Sequence, residues 1–70
     1  MDRKQIIATI ERKLEGEINA KVLNVNLMID NPVGVAEHID YVETIEKELD
    51  AISELSDRLA TLRKYFIIVR

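Results

Sequence analysis

The chain is predicted to be all-α: an antiparallel helical hairpin whose copies pair into a four-helix bundle. Three observations predict it. In the second half, apolar residues fall at Ile45, Leu49, Ile52, Leu55, Leu59, Leu62 and Phe66, in steps of 4, 3, 3, 4, 3 and 4. In the first half they recur at Ile7, Ile10, Leu14, Ile18, Val22, Val25 and Ile29, in steps of 3, 4, 4, 4, 3 and 4. Between the two runs stands Asn31-Pro32 followed by Gly34, a reversal signal. Both step patterns are helical periods with one face buried.

The second run is the strongest. It contains neither Gly nor Pro, and Glu, Lys, Arg, Ala and Leu, all good helix formers, fill its other turns. The average step of 3.5 is that of a helix laid against another helix. Asp40 with Glu43 reads as a capping box, which sets this helix at about 41–66. Glu43–Lys47 and Glu54–Arg58 stand four apart in the favourable order and mark a solvated face.

The first helix is expected over about 3–30. Asp2 with Gln5 is a capping box, and Asn31, pushed out of the helical region by Pro32, ends it. Ile7, Ile18 and Ile29 are spaced by eleven, a period of 3.67 residues per turn. Against the 3.5 of the second helix, the two seams should drift apart and splay at one end. Gly16 costs about 1 kcal/mol in a helix interior and also suits a helix C-terminus. Residues 23–27 alternate apolar and polar. A rival α+β reading follows: helix 2–15, strand 21–30, helix 39–64 and strand 65–69. Its weakness is its sheet, since two strands alone are marginal. The connector 31–40 is long for a helix pair, and Val33, Val35 and Ile39 can cover the end of the core.

Seventy residues make a single domain, 1–70, with a marginal core. With no Cys, disulfides and thiolate zinc sites are excluded, so association is the remedy left. The apolar arcs are also too wide for one partner helix: Ile6, Leu23 and Leu27 widen the first, and Val42, Leu55 and Leu62 the second. The expected self-association surface is Ile7, Ile10, Leu14, Ile18, Val25, Ile29, Ile45, Leu49, Ile52, Leu55, Leu59, Leu62 and Phe66. The apolar tail after Lys64 exceeds what one seam can use. It suits a neighbouring chain, an added strand or a junction with further chain.

The net charge of −3 hides a gradient. Residues 1–15 and 55–70, together at the open end, hold eight basic residues against four acidic, a net of +4. Residues 16–54 hold nine acids against Lys21 and Lys47, a net of −7. Arg3, Lys4, Arg58, Arg63 and Lys64 form a basic tip suited to a phosphate or an acidic protein surface. The plainer reading is that charged ends orient two hairpins head to tail. Nucleic-acid binding through this tip would be weak and salt-sensitive.

Little points to chemistry. Glu37, His38 and Asp40 are three metal-ligand types in the connector, but a single His with no second cluster favours capping and solvation, and no metal is expected. Thr44, Ser53, Ser56 and Thr61 have no base beside them, so no nucleophile is expected, nor is a phosphate loop present. Tyr65-Phe66 reads as a core plug rather than a stacking platform. No enzyme activity and no cofactor are expected. No run approaches the ~20 apolar residues of a membrane span and no signal peptide is visible, so the expected location is the cytoplasm. The expected function is a self-associating hairpin that binds another protein as an accessory or regulatory factor.

The run Asn31-Pro32-Val33-Gly34-Val35-Ala36-Glu37-His38, followed by Glu46-Lys47-Glu48-Leu49 and Leu62-Arg63-Lys64-Tyr65-Phe66, resembles small uncharacterised helical-hairpin proteins of T4-like marine phages. The resemblance spans residues 31–66 and leaves out the tail 67–70. It implies a viral accessory protein acting in the host cytoplasm on a host protein, and it carries over no functional residue.

Overall fold

A computed structural model describes residues 1–31 and 38–68. Helix α1 spans Arg3–Asp30 and helix α2 spans His38–Phe66. The capping box at the start of α1 is formed as its residues require. The Gln5 amide donates to Asp2 Oδ1 at 2.8 Å, and the Asp2 amide donates to Gln5 Oε1 at 2.9 Å. At the other end Asn31 leaves the helical region, and its backbone N–H and its Nδ2 both donate to the Leu27 carbonyl, at 3.0 and 3.1 Å. Asn31 thereby satisfies an end carbonyl that the helix itself leaves open.

Helix α2 begins earlier than its capping signal suggests. Asp40 does not cap it but lies in its first turn, and Thr44 Oγ1 bonds back to the Asp40 carbonyl at 2.8 Å. A carboxylate in the first turn favours the helix through the dipole wherever the cap itself sits. The covering role expected of Val33, Val35 and Ile39 lies outside the described residues. The rival α+β reading is overturned: residues 21–30 are helical, as are 65 and 66, and no strand occurs among the described residues. The alternation at 23–27 comes from Asn24 and Asn26, two solvent-facing polar residues on a helix that the seam holds together.

The two helices pack antiparallel. Tyr41 donates its hydroxyl to the Met28 carbonyl near the connector, and Arg63 reaches Glu11 near the open end. The core is thin. Leu14, Leu55 and Leu59 form its buried centre, with Ile18 and Leu62 packed against them and Val25 buried further along. Among the described residues no side chain is fully buried. The molecule measures 50 × 19 × 16 Å.

Burial also identifies the seam, and it is not the one that the apolar residues alone suggest. On α1 Ile7, Glu11, Leu14, Ile18, Lys21, Val25 and Met28 are buried or half-buried in steps of 4, 3, 4, 3, 4 and 3, with half-buried Ala8 and Glu17 beside them. On α2 Tyr41, Ile45, Glu48, Ile52, Leu55, Leu59 and Leu62 keep the same steps of 4, 3, 4, 3, 4 and 3, with half-buried Ala51 beside them. Both helices therefore carry the same 3.5-residue repeat. The eleven-residue spacing of Ile7, Ile18 and Ile29 is therefore not the period of the seam, since Ile29 is exposed. Charged residues, not apolar ones, hold the seam positions at Glu11, Lys21 and Glu48.

Candidate functional site

Three charges can sit in a thin seam because each finds a partner. Arg63 Nε donates to Glu11 Oε2 at 2.9 Å, and the same guanidinium reaches Glu15 at 3.5 Å. Glu11 is the one buried charged residue among those described, and an unpaired carboxylate there would be costly. Lys21 Nζ meets Glu48 Oε2 at 3.5 Å across the helices. Among the described residues, no buried side-chain polar atom lacks a hydrogen-bond partner.

These charges displace their apolar neighbours. Ile10, Val22 and Leu49 stand beside Glu11, Lys21 and Glu48 in sequence, and all three are exposed. The expected self-association surface thus divides. Leu14, Val25, Leu55 and Leu59 are buried within the hairpin, and Ile7, Ile18, Ile45, Ile52 and Leu62 are half-buried along its seam. Ile10, Ile29, Leu49 and Phe66 face outward, together with Ile6, Val22, Leu23, Leu27 and Val42. Their exposures run from 41% at Ile10 to 60% at Leu23.

One set of these residues shares a face. Val22, Ile29, Val42 and Leu49 each follow a seam residue: Lys21, Met28, Tyr41 and Glu48. One residue is about 100° around a helix. Because the helices run in opposite directions, the same sense of rotation turns all four to the same side of the hairpin. The Lys21–Glu48 and Tyr41–Met28 contacts place Val22 level with Leu49 and Ile29 level with Val42. The result is an aliphatic patch on one face of the connector half. Ile6 and Ile10 precede the seam residues Ile7 and Glu11 and lie on the opposite side at the open end.

At the open end a groove of about 680 Å³ is lined by Asp2, Arg3, Lys4, Ile7, Ala8, Glu11 and the tail Phe66–Ile68. The chain leaves the helix after Phe66; Ile67 is half-buried and Ile68 exposed. The basic tip is only partly available. Arg63 is held by Glu11 and Glu15, and Arg58 Nη2 donates to Glu54 at 3.1 Å, as its spacing predicts. Lys64 sits 5.2 Å from the centre of the Tyr65 ring. Arg3 and Lys4 make no ion pair among the described residues and stand in the first turn of α1, which holds no acid. The predicted Glu43–Lys47 pair does not close, whereas Lys13–Glu17 does, at 2.6 Å. The Lys13 ammonium, through its hydrogen bond, holds the Glu17 carboxyl below the usual glutamate range.

Thr44 and Thr61 spend their hydroxyls on the carbonyls of Asp40 and Asp57, one turn back. Glu37 lies outside the described residues, among which no group of three or more His, Cys, Asp or Glu gathers to hold a metal. No described helix is long and apolar enough to cross a membrane. The sequence reading missed the Glu11–Arg63–Glu15 network. Its signal was present: Ile7, Glu11, Leu14 and Ile18 keep steps of 4, 3 and 4, whereas Ile10 breaks them. Comparison with known proteins returns no matching family model, no similar curated protein and no similar solved structure.

Proposed function

We propose that the chain is a non-enzymatic, self-associating helical hairpin that acts by binding protein. The observation that carries this is its uncovered aliphatic surface. The chain exposes 5643 Å², whereas a folded monomer of 8.1 kDa exposes roughly 4500 Å². The excess, on the order of 1000 Å², compares with the ~800 Å² that each partner buries in a standard interface. Ile29, Val42, Leu49 and Phe66, each at least half exposed, supply apolar surface that a core of four buried side chains leaves uncovered. Pairing of two hairpins into a four-helix bundle covers it at the smallest assembly size. The cytoplasm, where the phage resemblance would put it, is the compartment of this reading. A host protein as the eventual partner follows from the phage resemblance alone. Sedimentation equilibrium over micromolar concentrations tests self-association: a dimer or larger species is expected, and a folded monomer throughout would end this reading.

A second reading, weak nucleic-acid binding through the open end, is favoured by Arg3 and Lys4. They stand where the helix dipole disfavours cations, a small cost that another use would explain. Engagement of Arg58 and Arg63 with Glu54, Glu11 and Glu15 lessens the charge on offer. Retention on single-stranded DNA at low salt, lost when Arg3 and Lys4 are replaced by Glu, would support it. Passage through without retention would sink it.

A further inference from the structure

We infer that two copies pair head to tail through the face bearing Val22, Ile29, Val42 and Leu49, the connector half of each lying over the open half of the other. This rests on the self-association proposed above and specifies its face and direction.

The open end offers these aliphatics a seat. Along that face the connector half carries the four large aliphatics with Asn26 and Glu46 among them. The open half, at the positions one residue past the seam, carries Ala8, Arg12, Glu15, Ser56, Ala60 and Arg63. Reversal places Ile29 and Val42 against the partner's open-end groove, with its apolar Ile7, Ala8 and Phe66–Ile68.

Charge points the same way. The connector half holds −7 and the open half +4, so a parallel pair sets nine acids beside nine acids. Reversal sets each acidic half on a basic one, and the attraction is greatest at low ionic strength.

Area adds the third constraint. A face of 50 by 19 Å offers about 900 Å² per copy, close to the ~800 Å² per partner of a standard interface. Full-length overlap is therefore needed, and a half-overlapped chain of copies falls short.

The chain contains no Cys, so a single introduced thiol is a clean probe. Asp40, exposed and in the first turn of α2, precedes its seam residue and so lies off the proposed face. A spin label on Asp40→Cys should report an inter-label distance of about 40 Å in a reversed pair, since Asp40 stands ~13 residues from mid-rod at 1.5 Å each. A parallel pair brings the labels to under roughly 30 Å at the same rise per residue. Leu49→Glu should weaken the dimer at least tenfold with helicity retained, Ile6→Glu on the opposite side should leave it intact, and added salt should weaken the wild-type pair. A dimer with the short distance, or one strengthened by salt, overturns the direction. A dimer broken by Ile6→Glu but not by Leu49→Glu overturns the face. A folded monomer at every concentration overturns the self-association reading itself.

Discussion

Gly16 sits in the middle of α1, where its missing side chain serves no packing purpose: a Cβ built there meets nothing within 4 Å. Its presence costs backbone entropy with no local return, so Gly16→Ala should stabilise the hairpin by about 1 kcal/mol, read as a higher urea midpoint. Glu17 is a second residue whose behaviour follows from one neighbour. Its carboxyl is held below the usual glutamate range by Lys13, so its contribution to stability is present above the unfolded-state value. That contribution disappears as pH falls through the lowered folded-state value. In an NMR titration the Glu17 midpoint should lie below that of an ordinary glutamate, and Lys13→Ala should return it. The residue is surface-exposed, so the effect on melting is small and salt-sensitive.

Each helix is a heptad strip with charges set into it. Glu11, Lys21 and Glu48 take seam positions that leucine or isoleucine would fill more stably, and their cross-helix partners fix which turn of α1 faces which turn of α2. The centre of the seam carries the packing energy. Leu59→Ala removes a buried side chain from the cluster with Leu14 and Leu55, and should cost about 2–4 kcal/mol by thermal or urea unfolding. Leu49 lies only ten residues away yet faces outward, so its loss should be felt in association rather than in the hairpin's own fold.

As a whole the molecule is a rod of 50 × 19 × 16 Å with few buried side chains, and its stability should not be independent of its copies. Binding that favours the folded form raises the melting temperature by mass action. The melting temperature should therefore rise with protein concentration across the micromolar range; a melting temperature that stays constant over a hundredfold dilution would contradict a dimer. The same linkage means that a variant weakening the pair, such as Leu49→Glu, should lose this concentration dependence while keeping its helicity.

Much of this architecture is legible from residue order alone. The Asp2–Gln5 cap, the stop at Asn31, the all-helical class and the span of α1 follow from local chemistry that neighbours within one turn decide. The choice of seam does not. An apolar residue and a charged one side by side, Ile10 with Glu11 or Glu48 with Leu49, give no local rule for which turns inward. That is settled across the helices, where Arg63 meets Glu11 and Lys21 meets Glu48, residues 52 and 27 apart in the chain. Only once those pairs are closed do Val22, Ile29, Val42 and Leu49 come to share a face. Periodicity sets how many apolar residues a helix offers; long-range pairing decides which of them are buried within the hairpin and which stay exposed.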